Sequence, residues 1–523
     1  MLLNLLPIAF LLMTVLILII VSRTQAQVGT LWLVFTVGAL LSFGTITAIR
    51  WLQPAMITIE GWVMVGTNPI DLVFGFDNIT WVFAFALATL LLGVAFTLAI
   101  RLDLVQRPQE WTIELLFVAM GLLPIMAQNL MSLVVAWTIL DFFELLIHVS
   151  GYTPERINRQ AVMAFAVRMG GSWLLIAAQA TSETGFQQVM NFSNYDTGSA
   201  LLLLLAAGLR LGIFPVFMPF QQEAALRREF GAILRFVVSA SSLVLLTRLS
   251  ALVIPGGWAI ALSAFALIGS LGGSVLFLLS SSELTGRNYW IAALAGMAVV
   301  SVVRGRADAA LAWSIVLLLT GGFLSLHSEK QNQYVLLVII ALLGISGLPF
   351  SASAAGFQGL VVLPFSLLDV LYLIAQGILL LAFLKQGLRI EDTNEKAEGW
   401  MKAVYPLGLL LLVGGQWVAL IDSFSIAVPS FWWLAIFPLA VSLAGYGLMV
   451  RFGLQDPLQV REDSTLAQAL AGESVLYPFI EKVYFFAKSA VGYMTAVLQG
   501  DAGLLWMMLL FLMILTIIIR GVS

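Results

Sequence analysis

The chain has 523 residues, of which 61% are hydrophobic and 10% charged, and its mean hydropathy is +1.02. Its formal net charge is −3, and it contains two histidines and no cysteine. This composition predicts an integral membrane protein that lies in the lipid bilayer and has no nucleic-acid partner. Without cysteine, the chain can hold neither an iron–sulfur cluster nor a thiolate metal site.

Apolar runs long enough to cross a hydrocarbon core of roughly 30 Å occur about sixteen times along the sequence. They begin near residues 2, 29, 79, 112, 130, 161, 199, 231, 258, 288, 308, 333, 367, 401, 430 and 503. The first run has no basic segment and no polar cleavage site, so we expect a retained helix rather than a signal peptide. The sequence therefore predicts an all-α polytopic membrane protein with about 16 transmembrane helices.

Positive residues predict how these spans are oriented. Most of the 25 Lys and Arg residues lie in loops that follow odd-numbered spans, among them Arg101, Arg107, Arg156, Arg159, Arg227, Arg228, Lys385 and Arg389. The positive-inside rule places these loops in the cytoplasm and both termini on the outer side. The expected location is a bacterial inner (cytoplasmic) membrane.

Two apolar runs are interrupted by proline. Arg210 lies within the run from Ser199 to Phe220, and Pro215 follows five residues later. Pro349 interrupts a run in the second half of the chain. Buried arginine is costly in a membrane and marks a function or a specific pairing, and broken helices at corresponding places in two halves are typical of transporter cores. We predict a helix break at each proline.

Six short motifs between about residues 75 and 390 follow the order known from one family. They are Asn129-Leu130 eight residues before Trp137, Phe165-Ala-Val-Arg168-Met-Gly170, Arg210 with Pro215, Gly231-Ala-Ile-Leu-Arg235, Asp308-Ala-Ala-Leu, and Gly347-Leu-Pro349 with Gly356-Phe357. Each motif alone is weakly specific. Together, in order and at matching spans, they resemble the antiporter-like membrane subunits of respiratory complex I, with relatives in membrane-bound hydrogenases and Mrp-type cation/proton antiporters.

This resemblance implies two inverted five-helix repeats with broken helices. We divide the chain into spans 1–3 (residues 1–110), a first antiporter-like repeat of spans 4–8 (111–255), a second, degenerate repeat of spans 9–13 (256–390), and spans 14–16 (391–523). The longer, terminal members of the family carry an amphipathic helix on the cytoplasmic side. Residues 475–498 match it, because their apolar side chains recur on one side of a helix about 36 Å long. Such a helix could brace this subunit or one neighbour.

The resemblance also shows which ionisable groups are missing from the first repeat. The family's glutamate position after Trp137 holds Thr138, and Asp141 and Glu144 follow on nearby turns. Either carboxylate could replace the glutamate, with Asp141 nearer in depth, or both could only neutralise buried arginines. The family's lysine position in span 7 holds Arg210, and Arg235 takes the corresponding place in span 8. Arginine is effectively never deprotonated, so a switchable charge becomes a fixed one.

The second repeat has lost more of these groups. The family's histidine and lysine positions in span 11 fall near Leu317 and Gly321, and the terminal lysine or glutamate position falls on Leu360. Between Lys330 and Lys385, the only ionisable side chain is Asp369. The candidate ion path or buried charge network is therefore Asp141, Glu144, Arg168, Arg210 and Arg235. A continuous polar path cannot be drawn from the sequence, and proton conduction through this chain is disfavoured.

No catalytic site, cofactor-binding site or metal site is predicted. The two histidines, His148 and His327, occur without other obvious ligands, and no nucleotide-binding loop is present. Any redox or hydrolytic chemistry would therefore belong to another subunit.

Three functions remain as alternatives. The chain could be a subunit of a proton- or sodium-translocating complex I-like or hydrogenase-like assembly, either conducting ions itself or serving mainly as a scaffold. It could be the membrane partner of a cytoplasmic catalytic subunit, as in inorganic-carbon accumulation systems, or a stand-alone cation/proton antiporter. The lost charges favour a scaffolding subunit, with other membrane subunits as partners.

Overall fold

A computed structural model of the chain comprises two compact units, Met1–Ser464 and Thr465–Ser523. The structure describes residues 2–24, 26–52, 56–65, 68–104, 109–152, 155–182, 192, 195–214, 226–249, 254, 256–329, 331–361, 364–389, 399–421, 432–453, 482, 485 and 489. The predicted amphipathic helix at 475–498 therefore lies almost entirely outside the described residues, and Pro215 also lies outside them.

Sixteen α-helices make up most of the described residues. The first eight are α1 (Leu6–Arg23), α2 (Val28–Leu52), α3 (Asn78–Leu98), α4 (Gln109–Met126), α5 (Leu130–Ile147), α6 (Glu155–Thr181), α7 (Thr197–Arg210) and α8 (Arg228–Leu249). The others are α9 (Gly256–Leu279), α10 (Arg287–Val303), α11 (Ala307–Leu326), α12 (Val335–Ile345), α13 (Ala354–Leu360), α14 (Leu367–Gly387), α15 (Gly399–Ala419) and α16 (Ile436–Phe452). The chain is thus a polytopic helical membrane protein.

Every predicted span up to the one near residue 430 corresponds to a helix. Within the described residues, 12 helices are long and apolar enough to cross a membrane, and α7, α10 and α12 are shorter apolar helices. The span near residue 503 lies outside the described residues, so the total of about sixteen spans remains a prediction. The inverted repeats and the four-part division of the chain also remain predictions.

Three helices form the centre of the first unit. α3, α8 and α11 are buried along almost their whole length, whereas α1, α2 and α16 expose most of theirs. The exposed positions of these outer helices carry large apolar side chains such as Ile20, Leu40 and Phe437. Apolar side chains facing outward are favourable in hydrocarbon, and α3, α8 and α11 hold the buried interior around which the other helices pack.

A β-hairpin between α2 and α3 departs from the predicted all-α fold. Strands β1 (Ile57–Val65) and β2 (Asn68–Phe74) pair antiparallel, with Thr58 opposite Val73. Hydrogen bonds attach the hairpin to the start of α5: the Val73 N–H donates to Ser132 Oγ at 2.7 Å, and the Asn129 amide donates to Asp71 O at 2.9 Å. No element was predicted for this segment, which lies between the spans that begin near residues 29 and 79.

A glycine follows the end of a helix shortly before each of the two prolines at which a break is predicted. α7 ends at Arg210, and Gly212 then adopts a left-handed conformation with φ of 72°. α12 ends at Ile345, and Gly347 follows with φ of 76°. Glycine adopts positive φ without strain, so it ends a helix readily two residues after the last turn. The helical geometry is therefore lost before Pro349 is reached.

Side chains at helix N-termini fix where several helices begin. Asp77 and Ser366 form reciprocal capping boxes at α3 and α14, and Asp196 accepts hydrogen bonds from the first-turn N–H groups of α7. A hydrogen bond from the Ser199 hydroxyl, and then the backbone N–H groups, hold the pKa of Asp196 below its ordinary value. Such caps satisfy N–H groups that have no partner within the helix.

Candidate functional site

Two carboxylates on α5 and arginines from three other helices form a buried cluster. Asp141 and Glu144 lie one turn apart on α5, and Arg168, Arg210 and Arg235 reach them from α6, α7 and α8. The side chains of both carboxylates are fully buried, and none of the three arginine side chains is more than 7% exposed. The structure thus brings together all five residues of the candidate network. We call these five residues the α5 charge cluster.

Arg210 and Asp141 form the most extensively bonded pair of the α5 charge cluster. Arg210 Nη2 donates to Asp141 Oδ1 at 2.9 Å, and Arg210 Nη1 donates to the other carboxylate oxygen. Arg210 Nε lies 3.3 Å from Ser242 Oγ, and its guanidinium carbon lies 4.1 Å from the ring centroid of Trp137. A planar guanidinium can make two parallel hydrogen bonds and stack on an aromatic ring at once, which an ammonium group cannot do.

Glu144 connects the other two arginines. One of its oxygens accepts a hydrogen bond from Arg168 Nη1, and the other accepts from Arg235 Nη1 at 2.7 Å. His148 Nε2 lies 3.6 Å from the same carboxylate, so this histidine is a sixth member of the site. His148 was not predicted to belong to this site, because only arginines were considered as partners of Glu144, which lies one helical turn earlier on α5. His148 begins a short π-helical turn, His148–Tyr152, at the end of α5.

The sequence motifs position this cluster. Asn129 caps α5 by accepting hydrogen bonds from the Ser132 N–H and hydroxyl, which fixes where α5 begins. The Trp137 indole N–H donates to Ser241 O at 3.2 Å and holds the ring beneath the Arg210 guanidinium. Gly171 leaves room for the Arg210 side chain, because a Cβ there would lie 2.8 Å from its Cγ. Asn129 and Trp137 come from the motifs and, together with Gly171, hold this geometry, while Thr138 and Arg210 stand where the resemblance places a glutamate and a lysine.

In α11, the two positions where the resemblance places a histidine and a lysine, near Leu317 and Gly321, are surrounded by apolar packing. Leu317 is fully buried, and its carbonyl oxygen accepts a hydrogen bond from the Trp290 indole at 3.1 Å. A Cβ added at Gly321 would lie 2.5 Å from the same indole nitrogen and 2.7 Å from Phe236. Two bulky aromatic side chains therefore fill the space beside Gly321, and a lysine or histidine would not fit there without repacking.

A second arginine–aspartate pair lies at the end of the broken helix α12–α13. Arg304 follows α10, donates to the carbonyl oxygens of Gly359 and Leu360 at 3.1 and 2.7 Å, and pairs with Asp369 at 2.7 Å. Asp369 also belongs to the N-terminal capping box of α14. The resemblance places a terminal lysine or glutamate at Leu360, and at this position the structure has a guanidinium from another part of the chain bonded to the backbone carbonyl.

Further ion pairs join helix ends where the sequence predicts the cytoplasmic side. Arg101 pairs with Glu229 at 2.6 Å, Arg227 pairs with Glu110 at 2.8 Å, and Arg228 pairs with Glu283. In the described part of the chain, no group of three or more His, Asp or Glu side chains is arranged to hold a metal ion.

No protein-family model and no curated protein matches the sequence. Among solved structures, the chain is similar to one in the Mrp complex from Dietzia sp. DQ12-45-1b, with 16% identity and a TM-score of 0.67. That match covers 99% of this chain and 63% of the other, so this chain spans less than two thirds of the length of its Mrp counterpart.

Two further similarities are to respiratory complexes. For the membrane-bound sulfane sulfur reductase, an archaeal respiratory membrane complex, identity is 14% and the TM-score 0.65, covering 98% of this chain and 99% of that one. For a chain of respiratory complex I from Thermus thermophilus with bound aureothin, the identity is 18% and the TM-score is 0.57. That match covers 79% of this chain and 98% of the other. The resemblance drawn from the motifs is thus confirmed for the fold: the chain folds like an antiporter-like membrane subunit.

Proposed function

We propose that the chain is a membrane subunit of a proton- or sodium-translocating assembly of the complex I-like or hydrogenase-like kind. The observation that carries this proposal is the α5 charge cluster beside a broken helix, within a fold that membrane subunits of such complexes share. Buried charges and unwound helix ends are costly at membrane depth and are retained where ions or charges must be managed. The expected setting is a bacterial inner membrane, with both termini outside.

Within that assembly, the chain acts mainly as a scaffold with a degenerate ion path. Arg210 and Arg235 cannot exchange protons as lysines do, because the guanidinium stays protonated. Trp290 and Phe236 pack against Gly321, which supports a blocked rather than an open route through the second half. The charges of the α5 charge cluster then hold α5, α6, α7 and α8 together and fix the surface that neighbouring subunits meet.

Copurification in mild detergent tests this function. We expect other antiporter-like membrane subunits to elute with the tagged chain and to be identified by mass spectrometry. Recovery of only a cytoplasmic catalytic protein would instead indicate an accumulation-type partnership. Recovery of the chain alone, with cation/proton exchange in vesicles, would indicate a stand-alone antiporter and contradict the proposal.

The amphipathic segment at 475–498 supplies a second test of assembly. We expect it to lie along the cytoplasmic membrane surface, because its apolar positions recur on one side of a helix and are flanked by the charged residues Glu481, Lys482 and Lys488. Its deletion should release the chain from its neighbours without preventing membrane insertion. The control is a scrambled 475–498 segment of equal composition. A deletion of similar length around the predicted loop at residues 390–398 would not match this segment in character. Normal assembly after deletion would show that the helix does not brace the complex.

A further inference from the structure

One buried carboxyl group takes no part in the interactions described above. Glu114 lies in the second turn of α4 and is 2% exposed. Its Oε2 atom has no hydrogen-bond partner among the described residues, and Glu114 forms no salt bridge with any of them. Buried carboxylates are normally paired with a cation or bonded to several donors, because an isolated buried charge is very unfavourable. Glu114 therefore differs from every other buried acidic residue discussed above.

Neighbouring acidic residues already have cationic partners. Glu110, one turn earlier on α4, pairs with Arg227, and Glu229, at the start of α8, pairs with Arg101. Glu114 shares this region with two carboxylates whose cations are engaged, and a third negative charge here would be repelled by both. The remaining nearby cation, Arg227, is bonded to Glu110 and its side chain is 31% exposed.

Among the described residues of the other helices that pack on α4, the cations at this end are either paired or exposed. Arg101, next to the end of α3, is bonded to Glu229, and Arg23 at the end of α1 is exposed. Arg50 of α2 lies over Trp81, towards the opposite end of the bundle. The acidic residues of α5, Asp141 and Glu144, are bonded to arginines of the α5 charge cluster.

A second polar atom on the same face of α4 also lacks a protein partner. Trp111 precedes Glu114 by three residues, a spacing that places both on one face of the helix. Its indole Nε1 is buried and has no acceptor within the described part of the chain. Two such atoms one turn apart indicate a face built to meet water, because buried polar groups without protein partners are satisfied by ordered water molecules.

We propose that Glu114 is a proton-binding site: its carboxyl group holds a proton at neutral pH and exchanges it with water entering from the predicted cytoplasmic side. Glu114 lies in the second turn of α4, near the helix end that the sequence predicts to face the cytoplasm. The proton passes from hydronium to a carboxylate oxygen of Glu114, and it returns to water when the carboxyl group ionises.

Carbodiimide labelling tests the protonation directly. Dicyclohexylcarbodiimide reacts with protonated carboxyl groups in apolar surroundings: the carboxyl oxygen bonds to the carbodiimide carbon, and the proton moves to nitrogen. In the purified full-length chain near neutral pH, mass spectrometry should find the label on Glu114 and not on Glu229 or Glu110. Labelling should fade as the pH is raised. Absence of label on Glu114, or equal labelling of Glu229, would overturn the proposal.

Matched amide variants separate a protonated carboxyl from a structural carboxylate. Glu114→Gln replaces a neutral acid with a neutral amide, so the midpoint of thermal unfolding should stay near wild type. Glu229→Gln leaves the half-buried Arg101 without its carboxylate partner and should lower that midpoint. If Glu114→Gln destabilises as much as Glu229→Gln, Glu114 is an ionised structural group and the inference is wrong.

Neither test depends on the proposed function, because labelling and stability are measured on the chain itself, whether or not other subunits copurify.

Discussion

Replacement of Arg210 distinguishes a fixed structural charge from a member of an ion path. In Arg210→Leu, Asp141 loses both hydrogen bonds of its guanidinium partner and stays fully buried. Breaking a buried ion pair from one side costs about 3 to 5 kcal/mol, because the remaining charge is left uncompensated. Arg168 is 3.7 Å from the same carboxylate but is bonded to Glu144, so it offsets only part of this loss.

Two companion variants calibrate that loss. Arg210→Lys keeps the charge but can no longer make both hydrogen bonds to Asp141 while stacking on Trp137, so we expect an intermediate cost of about 1.5 to 3 kcal/mol. The double variant Arg210→Leu with Asp141→Leu removes both charges, and apolar replacement of a whole buried pair is often neutral or stabilising. We therefore expect the double variant to be more stable than Arg210→Leu.

The assays are thermal unfolding of the purified chain, recovery of neighbouring subunits, and proton stoichiometry in vesicles. A structural role predicts that stability and assembly fall together in Arg210→Leu and recover in the double variant. Normal stability and assembly with a reduced stoichiometry in Arg210→Leu would refute the reasoning and place Arg210 in the ion path.

Three further predictions concern helix packing, the second arginine–aspartate pair and a helix cap. Gly273→Ala should lower the midpoint of thermal unfolding, because its Cβ would lie 2.7 Å from backbone atoms of α10, whereas a Cβ at the adjacent Gly272 meets nothing within 4 Å and Gly272→Ala should not. Arg304→Leu should increase proteolysis between α13 and α14 relative to Arg304→Lys, since Asp369 and two backbone carbonyls lose their donor. Asp196→Ala should cost about 0.5 to 2 kcal/mol at neutral pH. Because the folded-state pKa of Asp196 is depressed, its stabilisation is present above the ordinary aspartate pKa and is lost as the pH falls through the folded value, so variant and wild type should converge in acid.

The sequence predicted which charges would meet, because ionisable residues within apolar runs have few stable alternatives to pairing with one another. Asp141, Glu144, Arg168, Arg210 and Arg235 were identified in this way, and the structure brings all five together. Order along the chain and span number were sufficient for this step, since neither depends on the details of side-chain packing.

Other features depend on contacts between distant parts of the chain. Arg304 lies between two predicted spans, and only the structure shows that it reaches Leu360 and Asp369. Asp369 did give a signal, because it is the only ionisable residue across a long apolar region and must find a partner. Glu114 follows a polar loop, and a glutamate in that position is usually solvated. Its burial arises from packing of α4 among its neighbouring helices, which no local pattern reveals.

The break between α12 and α13 supports the scaffolding role proposed for this chain. Unwinding a helix inside a membrane exposes backbone groups that must be satisfied by protein or water. At the second break, the Ser353 hydroxyl accepts from the Gly347 N–H at 2.8 Å, and Gln376 donates to two carbonyls at the end of α12. Neutral side chains thus satisfy the backbone groups that this break leaves unpaired within the helix. A break that is bonded in this way keeps the shape needed to pack against neighbouring helices, without a charge that changes during turnover. The fixed arginines in the first half lead to the same reading, because they too preserve geometry while removing a proton-exchanging group.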